Sequence, residues 1–261
     1  MKKIIMLVLC LALINLISCA AFAEVKVAKV DDLTLAKVGV QAGSVAEALV
    51  QDLFEDAGKD KANIIAFETV FEIVAALKDK SIDAAVMDEV PARYFITEDE
   101  SLSIVPEPVQ SEMYAIGFKK GSNLVEPVNK ALDDIINDGT LALIIAKYLD
   151  EEMPSAGEID FNKGAAGGKL WVGCAAGFPP YAMRNEGGFI GIDIELSAEI
   201  AKRLNKELVI ADYRFDMLPE VLEAGRIDMI CSALTVNEKR EKVMDFSRPY
   251  DADQEVILVL K

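Results

Sequence analysis

Short apolar runs alternate along most of the chain with longer stretches whose apolar residues recur at helical spacing. From Ala36, AKVGV reads as a buried strand and SVAEALVQDLFEDAG as a helix closing on Gly58. NIIAFE is a strand, TVFEIVAALKDK a helix, IDAAVMDE a strand and VPARYFITED a short helix. LSIVPEPV and MYAIGF are further strands. This order predicts an α/β fold with a mostly parallel sheet covered by helices. KKGSN then leads to two helices, LVEPVNKALDDIIND and TLALIIAKYLDEE, separated by Gly139. The segment EEMPSAGEIDFNKGAAGGK, rich in Gly, Ala and charge, reads as a linker or a long surface loop. Alternation resumes with the strand LWVGC, the helix DIELSAEIAKRLN, the strand ELVIADY and the helix MLPEVLEAG. IDMICSAL, a helix from Asn237 and a last strand EVILVLK complete the pattern. Two α/β lobes are expected, 24–118 and 119–261.

The first residues do not fit that pattern. Lys2 and Lys3 precede the apolar run IIMLVLCLALINLI, which is too short to span a bilayer comfortably, so 1–23 reads as a signal peptide. AFA before Glu24 suits ordinary cleavage, whereas LISC, ending at Cys19, resembles a bacterial lipobox. Folded sequence begins a few residues after Cys19, a short tether, which favours soluble export over a lipid anchor. Either route places the mature chain in the periplasm or otherwise outside the cytoplasm.

Composition narrows the function classes. The net charge of −17 argues against nucleic acid as a partner, since that needs basic surface. The chain has no His, which removes Ser-His and Cys-His nucleophile pairs and His-ligated zinc or haem. No cofactor, metal site or catalytic residue is expected. Cys174 and Cys231 lack metal-ligand spacing; they read as buried thiols, with a disulfide open if their strands are neighbours.

Local chemistry concentrates at a few strand and helix ends. Ser44 with Glu47, and Thr235 with Glu238, have capping-box spacing, so each pair is expected to open a helix with free N–H groups. Arg240 in the first turn after Thr235 opposes the helix dipole and is best tolerated beside an anion; the alternative is a surface Arg paired with a carboxylate. Asp88 ends an apolar strand, where it either faces a ligand crevice or caps the following helix. Phe178 and Phe215 follow strands on loops that open toward the same region, as core or as a platform.

Taken together these residues resemble the polar amino-acid-binding proteins of bacterial ABC importers, the solute-binding family 3 of the glutamine- and histidine-binding proteins. KLWVGCAAGFPPYAM, LTVNEKREKVMDFSRPY and the sequence between them look like that family's N-terminal half. VGVQAGSVAEAL, IDAAVMDEV and YAIGFKKGSN look like its C-terminal half. The halves are reversed, as in a circular permutant with 150–168 joining the usual ends. The resemblance implies a two-lobed, type II periplasmic-binding-protein-like clamp with its ligand cleft between the lobes. It implies a monomer that captures a free amino acid and delivers it to the transmembrane subunits of an ABC permease. Arg240 would pair with the ligand carboxylate, helped by Thr235 and Ser44, and Asp88 with the Ala233 carbonyl would take the ammonium. Phe178 and Phe215 would sandwich the side chain, with Gln41, Met87, Val45 and Ala175 around it. Ala175 stands where several members carry an acid, which counts against a strongly cationic ligand. One crossing between the lobes, near Gly117–Lys120, would stay covalent, and the other would be split into termini at Val25 and Lys261. The alternative on this scaffold is an enzyme resembling cyclohexadienyl dehydratase, with Asp88, Glu89 or Glu112 as general acid.

Overall fold

The computed structural model describes residues 25–149 and 159–261. The expected signal peptide, Cys19 and the start of the expected linker lie outside the described residues. In the N-lobe, β1 (Val38–Gln41), β2 (Ile64–Phe67) and β3 (Ala84–Asp88) pair in parallel with β1 in the middle. Helices α1 (Val45–Asp56), α2 (Val70–Lys78) and α3 (Glu89–Glu98) follow the three strands in turn. β1 and β3 are buried throughout, as strands covered on both faces must be.

The C-lobe repeats the scheme. β6 (Lys169–Cys174) runs parallel to β9 (Glu207–Asp212) and to the short β10 (Met229–Ile230), while β7 (Met183–Asn185) and β8 (Gly188–Ile190) pair antiparallel as a separate ribbon. Between these strands lie α6 (Ile192–Arg203) and α7 (Leu218–Glu223). The two successive helices read from the sequence are α4 (Val125–Asn137) and α5 (Thr140–Leu149), and both pack on α6. Lys147–Glu195 at 3.1 Å and Arg203–Asp138 at 2.7 Å join them to it. The described part of the expected linker is not loose. Leu208 N–H donates to the Phe161 carbonyl at 2.9 Å, and Asn162 Nδ2 to the Lys206 carbonyl at 2.9 Å, so this segment lines β9. Cys174 and Cys231 are free, buried thiols.

Two long strands tie the lobes into one sheet. β5 (Gln110–Lys119) and β11 (Met244–Leu260) run antiparallel, from Met244 opposite Lys119 to Glu255 opposite Gln110. The register is irregular around Pro249, where the pair passes from one lobe to the other. Beyond that point β11 pairs with β3 and with β4 (Leu102–Ile104), giving the order β2-β1-β3-β11-β5-β10-β6-β9.

This pairing corrects the expected hinge. Both crossings are unbroken chain: β5 crosses near Tyr114 rather than at Gly117–Lys120, and β11 crosses at Ser247–Asp251. The last strand begins at Met244 rather than Glu255, and its end returns to the sheet of the N-lobe, so a boundary at 118/119 does not separate the two sheets. Val25–Val27 and Val259–Lys261 line one cavity of about 550 Å³ with Leu77, Ile82 and Asp83. That cavity lies at the start of β3, at the opposite end of the strand from Asp88. The first and last described residues are therefore neighbours, but away from the hinge.

Candidate functional site

The C-terminal ends of β1 and β3 and the loops after β6, β9 and β10 converge between the lobes, the usual location of a ligand crevice in a parallel α/β sheet. A small enclosed space there is lined from the N-lobe by Gln41, Ser44, Val45 and Asp88. Phe178, Phe215, Ala233 and Thr235 line it from the C-lobe. Glu112 and Glu255, on the two crossing strands, form its floor. Its volume is about 10 Å³, room for roughly one water-sized sphere. The cleft is closed.

Several expected residues take their positions for local reasons. Ser44 is the N-cap of α1 and accepts from Glu47 N–H at 3.1 Å, while Glu47 Oε2 takes Gly43 N–H at 2.7 Å. Gly43 has φ +76°, and a Cβ on it would lie 2.8 Å from the Asp216 Cα of the other lobe. Only glycine permits that approach. Asp88 begins α3 but makes no side-chain capping bond. Its carboxylate accepts the Tyr114 hydroxyl instead. Gln41 Nε2 donates to the Glu68 carbonyl at 3.2 Å. Ala233 holds φ +44°, and its N–H donates to Asp193 Oδ2 at 2.7 Å.

Three expectations need correction. Met87 lies in the hydrophobic core, because side chains alternate along a strand and Asp88 takes the cleft face of β3. Thr235 caps no helix: α8 (Glu238–Glu241) starts three residues later on Asn237, whose side chain accepts from Arg240 N–H at 2.9 Å. The Thr235 hydroxyl donates to Glu112 across the floor. Arg240 does not line the enclosed space. Its guanidinium donates to the carbonyls of Thr235 (2.8 Å) and, in the other lobe, Gly43 (3.1 Å), and lies 5.5 Å from the centre of the Phe215 ring. Among the described residues it makes no ion pair, so the surface-pair alternative fails too. Burial lowers its pKa, against the pull of Glu112, Asp88 and Glu255.

The floor was not anticipated as a unit. Asp88 on β3 stands directly opposite Glu255 on β11, and Glu112 on β5 stands opposite Asp253, two residues along the same face. Asp88, Glu112 and Glu255 are 8%, 4% and 1% exposed, and each offers an oxygen within 4.8 Å of the other two. Burial first, and then the neighbouring carboxylates, push Asp88 and Glu255 well above the usual carboxylate range. Tyr114, also missed, lies on the crossing strand with its hydroxyl 3.3 Å from Asp253 Oδ2. Of the acids named for an enzyme, Asp88 and Glu112 reach the cleft. Glu89 is held by Arg93 at 2.8 Å and by Gln254 at 2.6 Å.

A second cavity of about 260 Å³ adjoins the first and shares Gln41 with it. Ala175, Gly177 and Asp212 line it, and Arg214 with Glu68 of the opposite lobe, 2.9 Å apart, lies at its edge. Together the two spaces have a small end floored by acids and a roomier end.

Part of the chain is similar to known proteins. Residues 170–261 match the bacterial extracellular solute-binding proteins, family 3. A probable histidine-binding protein of Campylobacter jejuni is 36% identical over 92 residues, 35% of this chain and 36% of that protein. The arginine-binding extracellular protein ArtP of Bacillus subtilis is 26% identical over 121 residues, 46% of this chain and 48% of that protein. Among solved structures, the arginine-bound form of domain 1 from TmArgBP is 40% identical over 36% of this chain and 80% of that one, with a TM-score of 0.31. The chain thus spans about a third to a half of the curated relatives it matches. Within it, residues 170–261 are similar to the family 3 solute-binding proteins, and they lie in a two-lobed α/β fold.

Proposed function

We propose that the protein is an extracytoplasmic receptor that closes its two lobes on a free amino acid and presents it to an ABC importer. The observation that carries this reading is the enclosed space to which both lobes contribute, with acids on its floor and Arg240 at its rim. A zwitterion needs a fixed anion and a fixed cation, and a guanidinium fork suits a planar carboxylate. Asp88 takes the ammonium. Arg240, once the lobes part, exchanges its carbonyl partners for the ligand carboxylate, with the Thr235 and Ser44 hydroxyls beside it. Phe178 and Phe215 flank the side chain, which extends toward Ala175 and Gln41. Histidine and arginine are what the two relatives are named for, and a polar side chain fits the second cavity with its Glu68, Asp212 and Arg214.

The same reading makes the chain a circular permutant. The family match at residues 170–261 supports this, as does the nearness of Val25 to Lys261. With both crossings unbroken, closure bends two continuous strands at Tyr114 and Pro249 rather than a cut hinge. Among the described residues no helix is long and apolar enough to cross a membrane, in keeping with export on the 1–23 signal and with Cys19 as an optional anchor.

Thermal unfolding against the common amino acids tests the function. A true ligand raises Tm in proportion to ln(1 + [L]/Kd), and none should do so if the cleft serves another purpose.

A further inference from the structure

The cleft floor holds more negative charge than an amino acid can use. Like charges directly opposed on neighbouring strands are unfavourable, yet Asp88 faces Glu255 across β3 and β11, with Glu112 on the next strand. All three are nine-tenths or more buried. Two of their oxygens, Glu112 Oε1 and Glu255 Oε2, have no hydrogen-bond donor among the described residues although both side chains line the enclosed space. A buried acceptor without a donor is unfavourable, and two in one small space is a conspicuous excess. A bound zwitterion adds no net charge.

We propose that Asp88, Glu112 and Glu255 form a binding site for one divalent cation of the hard, oxygen-preferring class: calcium, manganese or magnesium. The donor set is all oxygen, as that class requires, with no His or thiolate to favour zinc or copper. The geometry is right as well. Two oxygens on one calcium ion, each about 2.4 Å from it, lie at most about 4.8 Å apart, and the three carboxylates meet that limit. The space, about one water-sized sphere, suits an ion of this size. The ion takes the seat assigned above to the ligand ammonium, so ion and amino acid compete for Asp88. The site does not depend on the amino-acid reading, because ion binding is measured without any amino acid.

The test uses purified protein stripped of metal with a chelator and then titrated with calcium chloride or manganese chloride by calorimetry. The expected result is saturable one-to-one binding, weakened at least ~10-fold in E112Q and in E255Q. E126Q, an exposed acid of α4, should leave it unchanged. A mutation-free measurement stands beside it: terbium emission sensitised by Tyr114, whose hydroxyl bonds Asp88, should appear on the wild-type protein and be displaced by calcium. The proposal is overturned if neither ion saturates a site by about 10 mM. Equal affinity in wild type, E112Q and E255Q overturns it too, since binding then belongs to the acidic surface. Terbium emission that calcium does not displace does the same.

Discussion

Asp193 and the trio of Asp88, Glu112 and Glu255 are all buried, yet the two settings treat a carboxylate in opposite ways. Asp193, at the start of α6, is wholly enclosed and has both oxygens occupied: Ala233 N–H donates to one at 2.7 Å and the Tyr250 hydroxyl to the other at 2.6 Å. Burial raises its pKa to about 7, and those two bonds hold it down from going further. It fixes the backbone at Ala233, whose φ of +44° sets the cleft wall, and so acts through its donors. The trio has fewer donors and faces its own kind. Burial is common to both, so burial alone does not mark a ligand site. The trio differs in its unpaired oxygens at the cleft.

Substitutions should separate the two settings. The largest effect is expected for Asp193→Ala, which leaves the Tyr250 hydroxyl and Ala233 N–H without an acceptor. Loss of about 3 kcal/mol is expected, a fall in Tm of roughly 6–12 °C, read by thermal unfolding. An unchanged Tm would end the distinction.

The pH dependence comes next. Asp193 titrates near 7 in the folded chain against an ordinary 3.8, and Asp253, raised chiefly by burial, near 6. Between those limits the folded state binds more protons than the unfolded one. Stability from these groups is complete below about pH 4 and is lost as pH rises through 6 and 7, by up to ~1.4 kcal/mol per pH unit for each group. Tm should therefore fall between about pH 4 and 7, and Asp193→Asn should flatten the upper part of that fall.

Glu255→Gln should act in the opposite direction from Asp193→Ala. In metal-free buffer it removes one of two opposed charges, and stability should rise by about 1 kcal/mol. A loss comparable with that of Asp193→Ala would mean that Glu255 is a structural acid. The smallest effect belongs to Arg214→Ala. Its pair with Glu68 joins the lobes, but the side chains are 49% and 55% exposed, so a change within ~0.5 kcal/mol is expected.

The same contrast explains what could be read in the sequence. Ser44 and Glu47 were legible because their cap is made within one turn. Thr235 and Glu238 have the same spacing and form no cap, since Asn237 takes that role and Glu112, distant in sequence, takes the Thr235 hydroxyl. Asp88 was legible as an acid ending an apolar strand, and the alternation of β3 then requires Met87 to face the core, a consequence available from the sequence but not drawn. β11 was recognised only at its end, because Pro249 and the charges around it conceal a strand whose partner, β5, is remote in the chain. Glu255 reads as the polar edge of an apolar run. Only the pairing of three strands brings it to Asp88 and Glu112, and no local pattern encodes that.

The proposed function requires this cleft to bind a free amino acid through Asp88 and Arg240. Calorimetric titration of metal-free protein with the amino acid that most raises its Tm tests it most directly. One-to-one binding with a Kd of about 1 μM or tighter is expected in the wild type, with none detectable in Asp88→Ala or Arg240→Ala. The claim is contradicted if no amino acid binds, or if either variant keeps the wild-type affinity.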